Sequence, residues 1–168
     1  MLNLDSKMTL TNQDLDGFLI NRIKAKKTLT LVTGVFDLLH EEHHLFLSKA
    51  KEIGDLLIVG IESDVRVRQM KGQQRPINNQ EIRLKNLDKW GIADFIFILP
   101  EQFSKPDDHR QLISKIRPNF MAVSSHTKFM REKEMILSEF TAKLVVVHDF
   151  NPEFSSSKLI QNLKKKGL

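Results

Sequence analysis

The chain contains no cysteine, no tyrosine and a single tryptophan. Without cysteine there is no disulfide framework, no thiolate zinc site and no cysteine nucleophile. With no tyrosine, one tryptophan and no basic stretch interleaved with aromatics, nothing offers nucleic-acid bases a stacking platform, so no nucleic-acid partner is expected. Long apolar runs are missing too. Leu56 to Ile61 and Phe95 to Leu99 are strand-sized, far short of a membrane span. The amino terminus lacks the cationic start and apolar core of a signal peptide, and the expectation is a soluble, cytoplasmic protein with no membrane partner. Neither an internal repeat nor a dividing linker is visible. What is present is 168 residues, enough for one domain with a real core. The net charge of +5 suits an anionic partner without choosing one, and Lys164-Lys165-Lys166 reads as the solvated tail of a helix.

Hydrophobic period then divides the chain. Asn12 to Lys26 has helical spacing, with Leu15, Phe18, Leu19, Ile20 and Ile23 on one face. Thr28–Val35 predicts a buried strand and Glu42–Ile53 the helix after it. A second strand is expected at Leu56–Ile61, a polar, basic loop from Ser63 to Pro76, and a helix at Asn79–Trp90. Phe95–Leu99, Phe120–Val123 and Leu144–Val147 read as three more strands. Helices are expected at Asp108–Ile116, Phe129–Glu139 and Ser156–Lys166. Strands separated by helices predict an α/β fold: a Rossmann-like, doubly wound parallel sheet of about five strands with helices on both faces. Residues 1–168 read as a single domain, with 1–27 an N-terminal helical extension. Such sheets bind ligands at the carboxyl ends of their strands, which directs attention to 36–44, 63–76, 100–105, 124–128 and 149–157.

The first of these segments is the most informative. Gly34-Val35-Phe36-Asp37-Leu38-Leu39-His40-Glu41-Glu42-His43 leaves the first strand and opens a helix. Free backbone N–H groups at a helix start favour phosphate. Two imidazoles facing that point could donate to an anion without covalent chemistry, as phosphoryl or nucleotidyl transfer requires. The plainer alternative is a surface helix start, with Glu41 and Glu42 favoured by the helix dipole. By residue type alone, Lys71 and Arg75 read as solvated loop charges, Asp37 as a turn or cap residue, and Ser155 or Ser156 as a helix N-cap. His44 lies outside the pattern and is expected to point elsewhere.

Taken together, these residues resemble a known family. Gly34-x-Phe-Asp-x-x-His40-x-x-His43 is similar to the G-x-F-D-x-x-H-x-G-H signature of the cytidylyltransferase-like nucleotidyltransferases. The similarity continues through Phe46-Leu47-x-x-Ala50-Lys51, Gly54-Asp55-x-Leu57-Ile58-Val59-Gly60, and Ser63-Asp64-x-x-Val67-Arg68-x-x-Lys71-Gly72-x-x-Arg75-Pro76-Ile77-Asn78 with Arg83. Within the family this most resembles the nucleotidyltransferase domain of ADP-heptose synthase. The resemblance implies attack of an acceptor phosphate on the α-phosphate of a nucleoside triphosphate, with pyrophosphate leaving and Mg2+ carried by the triphosphate. His40, His43 and Lys71 would be catalytic, and backbone N–H groups around Val35 and Phe36 would lie beside the phosphates, with Asp37 orienting the loop. Ser155, Ser156, Ser157 and Lys158 would form a second phosphate motif. Arg75 and Arg83 would hold the acceptor, although Arg83 could instead pair with Glu81 or Asp94. The implied partners are a nucleoside triphosphate and a phosphorylated sugar or polyol; homodimers are common in the family.

Three positions depart from the pattern. Glu42 stands where the family carries glycine between the histidines, placing a carboxylate toward a polyanion, toward solvent or on a metal ion. Phe154 replaces another glycine, and Val123-Ser124-Ser125-His126-Thr127 replaces Lys-Gly-Gly-Asp-Tyr, which bears on base choice. The leading expectation is adenylyl transfer, with cytidylyl transfer as the enzymatic rival. A domain of the same fold that binds nucleotide or a protein without turnover is the alternative from another class.

Overall fold

The computed structural model describes residues 12–149 together with Lys158 and Gln161. Helix α1 (Asn12–Lys24) precedes strand β1 (Leu29–Gly34), helix α2 (Glu41–Lys51) and strand β2 (Leu56–Ile61). Helices α3 (Asp64–Lys71) and α4 (Gln80–Asp88) lead to β3 (Phe95–Ile98) and α5 (Pro106–Ile116). The described elements end with β4 (Phe120–Ser124), α6 (Met130–Glu139) and β5 (Lys143–His148). All four strand pairings are parallel, in the order β3-β2-β1-β4-β5. The winding runs outward from β1 to β3, then restarts at β4 on the other side of β1. The β1/β4 boundary is therefore the switch point, where a crevice opens beyond the strand ends.

Both faces of the sheet are covered, which is why its strands read as nearly continuous apolar runs. On one face Leu57, Val59 and Ile61 pack with Leu47 and Ala50 of α2 and Leu87 of α4. On the other, Leu31, Ile58 and Met121 pack with Leu15 and Leu19 of α1, Ile113 and Ile116 of α5, and Ile136 and Leu137 of α6. Each fully buried Leu or Ile stabilises the fold by roughly 1.5–3 kcal/mol relative to exposure. The α1 helix is part of this second layer, and its Phe18 ring lies 4.9 Å from that of Phe95.

The expected elements form within a few residues of their predicted bounds, with one correction. The polar stretch at 63–76 is not a loop throughout, because Asp64–Lys71 is helical. Ser63 caps it, accepting a hydrogen bond from the backbone N–H of Arg66, and Val67 is its one fully buried apolar anchor. A helix with one cap and a single fully buried apolar residue carries too little periodicity to announce itself. The expected helix at 156–166 and the serine motif at 155–157 lie outside the described residues, apart from Lys158, which is helical and exposed.

Candidate active site at the sheet switch point

A cleft of about 480 Å³ opens at the carboxyl ends of β1 and β4. Its floor is the β1–α2 turn, whose shape follows from two residues. Phe36 is buried in the left-handed region at φ 50°, and its ring folds back over Gly34. A Cβ on Gly34 would stand 2.7 Å from Phe36 Cε2, so the close approach requires glycine there. The Phe36 ring meets His43 edge-on at 5.4 Å, and the His40 and His43 rings lie side by side at 3.9 Å. The α2 helix creates that juxtaposition: His40 is its N-cap residue, His43 follows three residues on, and the His40 carbonyl accepts the His43 N–H.

Both imidazoles are shifted toward the neutral form. Burial, then the neighbouring His40 and Lys71, pushes His43 down to about 3. Burial also lowers His40, although Glu42 opposes it. The Nδ1 atoms of both rings are buried with no hydrogen-bond partner among the described residues. Lys71, at the end of α3, lines the same cleft. Its ammonium is below the usual lysine range, through lost hydration and then Arg75, with Asp37 opposing. A bound polyanion would raise the proton affinity of all three groups. The cleft thus concentrates hydrogen-bond donors and a cation where negative charge would be stabilised.

Asp37 lines the cleft and braces its turn. Its buried carboxylate accepts hydrogen bonds from the Ile77 and Asn78 backbone N–H groups, both at 2.9 Å, and from Arg75 Nε at 3.0 Å. Asn78 Nδ2 returns a bond to the Asp37 carbonyl. The turn is thereby fastened to the segment between α3 and α4.

Arg83 corrects the expectation of an acceptor contact. It is fully buried, and its Nη1 donates to the Val35 carbonyl at 2.6 Å, its Nε to that of Asn78 at 3.0 Å, and its Nη2 to Asp64 at 2.7 Å. The expected salt bridge to Glu81 or Asp94 is likewise replaced by one to Asp64. Arg75 is engaged with Asp37, its Nη2 lying 2.9 Å from the carboxylate. The planar guanidinium fork suits such internal bracing, so both arginines shape the turn from behind the cleft. His44 points away, as expected, against Trp90 at 5.2 Å.

The cleft also holds residues that sequence reasoning missed. Lys133 of α6 reaches it from the far wall, with its pKa lowered by burial against the opposing pull of Glu132 and Glu62. His148, at the end of β5, lies with Nε2 2.6 Å from a carboxylate oxygen of Glu42. Glu42 therefore faces the cleft rather than solvent. The signal for His148 was its position just past the strand expected to end at Val147. Nothing in its local sequence pointed to Glu42. Among the described residues no group of three or more His, Asp or Glu side chains could hold a metal ion, and no helix is long and apolar enough to cross a membrane.

The chain is 35% identical over 141 residues to the bifunctional protein HldE of Campylobacter concisus, and 34% over 140 residues to that of Helicobacter pylori strain G27. These alignments cover 84% and 83% of the chain but 28% of each relative, so the chain spans little more than a quarter of their length. A lipopolysaccharide core biosynthesis protein from Thermoplasma volcanium superposes with a TM-score of 0.63 at 23% identity, covering 74% of this chain and 99% of that one. Pantothenate synthetase from Thermus thermophilus has the same fold, with a TM-score of 0.59 at 14% identity over 88% of this chain and 68% of its own. The cytidylyltransferase-like family matches residues 31–162, which takes in the signature turn and all but the first two residues of the sheet, and the chain belongs to that family.

Proposed function

We propose that this chain transfers a nucleotidyl group from a nucleoside triphosphate to a phosphorylated sugar or polyol. An acceptor phosphate oxygen attacks the α-phosphorus, the bond to the bridging oxygen breaks, and pyrophosphate leaves with that oxygen's electron pair. No covalent enzyme intermediate is needed, so the protein's work is positioning and charge stabilisation. The observation that carries this reading is the pair of adjacent imidazoles, 3.9 Å apart, in the cleft that Lys71 also lines at the switch point. His40 and His43 would donate to the triphosphate, and Lys71 would follow the charge that develops at the α-phosphate. With Arg75 and Arg83 braced internally, Lys133 on the opposite wall is the cation best placed for the acceptor's phosphate. Magnesium would arrive on the triphosphate as part of the substrate.

The adenylyl version is supported by the resemblance of Lys71–Asn78 to the ADP-heptose synthase pattern, and CTP is the rival donor. A second reading, nucleotide binding without turnover, is favoured by the Glu42 carboxylate on the cleft wall. Pyrophosphate release measured across ATP and CTP, each with a panel of sugar and polyol phosphates, separates them. Release that depends on both substrates is expected. Saturable nucleotide binding with no release from any pair would establish the second reading.

A further inference from the structure

Glu42 and His148 stand 106 positions apart in the chain yet share one corner of the cleft. Glu42 belongs to the first turn of α2, between His40 and His43, and His148 closes β5. The imidazole is 9% exposed and the carboxylate 25%. Left alone, a carboxylate at this point would repel the polyphosphate that the neighbouring donors attract. His40 also feels it, since Glu42 raises the proton affinity of that ring against burial. The other titratable side chains that line the cleft with Glu42 are Asp37, His40, His43, Lys71, Lys133 and His148. Among the described residues, only His148 has a hydrogen bond to it.

We propose that His148 is a positioning residue for nucleotide binding. It holds the Glu42 carboxylate against β5, away from the incoming phosphates. The two residues then act as a single unit that fills the place of the family's glycine without closing the site to a polyanion. The negative charge is retained, but its direction is fixed by a donor on another element. This inference rests on the reading of the cleft as a triphosphate site.

The test is a double-mutant cycle on the affinity for magnesium-ATP, measured calorimetrically, with inorganic tripolyphosphate as a second probe. His148→Leu frees the carboxylate and should weaken both ligands about tenfold. Glu42→Gln should tighten binding, and the double variant should return close to the wild type, because the charge that needed restraint has gone. A merely structural role for His148 would leave the double variant as weak as His148→Leu, or weaker, and would overturn the proposal. Should His148→Leu fail to fold, Glu42→Asp serves instead. It keeps the charge but withdraws it by one methylene from His148, and should also weaken both ligands; unchanged affinity would overturn the proposal. A wild-type protein that binds neither ligand would defeat the triphosphate reading itself, and this inference with it. Wild-type binding without rescue defeats only the pairing.

Discussion

At the scale of single residues, His43 makes the sharpest claim. Its folded-state pKa of about 3 lies below the ordinary 6.5 because the ring is buried beside His40 and Lys71. Above pH 6.5 both folded and unfolded states hold it neutral. As pH falls from 6.5 toward 3 the unfolded chain takes up a proton that the folded chain refuses, so stability is lost across that window. Between pH 6.5 and 5 the loss from this group is at most about 2 kcal/mol. His43→Gln should flatten the pH dependence of denaturant unfolding over that interval, and equal slopes in both proteins would contradict the assignment. Lys71→Ala tests the chemistry at the same scale. Loss of a charge-assisted phosphate contact, roughly 1.5–3 kcal/mol, should lower turnover about tenfold to hundredfold with the fold intact. A normal rate with the best acceptor would remove Lys71 from the site.

At the scale of elements, the turn after β1 is held from behind by the segment joining α3 and α4. Asp37 with Arg75, and Arg83 with Asp64 and the Val35 carbonyl, are buried or nearly so. Removing one partner of such a pair leaves a buried charge unmatched, which destabilises by about 3–5 kcal/mol when fully desolvated. Arg83→Met should therefore lower the unfolding midpoint markedly. In whatever protein remains folded, the KM for the acceptor should not change selectively. A stable Arg83→Met protein with a raised acceptor KM alone would restore the role expected from sequence. Gly34→Ala acts on the other side of the turn. The new Cβ must displace the Phe36 ring, which carries His43, so nucleotide affinity should fall more than stability does.

At the scale of the whole molecule, ligand binding at the switch point engages the β1–α2 turn, α3, the wall from β4 to α6, and β5 together. A nucleotide bound there stabilises the folded chain by linkage, about 2.7 kcal/mol at a hundredfold excess over Kd. For a domain of this size that corresponds to an increase of roughly 5–10 °C in Tm. Magnesium-ATP or magnesium-CTP should produce this shift in a thermal scan. Replacing both His40 and His43 by Ala should abolish most of it without changing the ligand-free Tm by a comparable amount. Equal shifts in the two proteins would place the nucleotide elsewhere.

The sequence by itself determined the order of strands and helices, the parallel sheet and the turn that carries the histidines. Hydrophobic period and turn chemistry are local, and a strand such as Leu56–Ile61 or the run from Gly34 to His43 declares itself within ten residues. It did not disclose α3, whose local signals are one cap and one buried valine. Nor did it separate the cations that face a ligand from those that brace the turn. Arg75, Arg83 and Lys71 share one basic stretch, yet only Lys71 lines the cleft, while Lys133 arrives from a helix with no motif. That sorting, like the meeting of Glu42 with His148, was decided by the tertiary structure. Which side chains converge depends on how the sheet winds back past β1, and the winding joins residues whose separation along the chain carries no periodic signal.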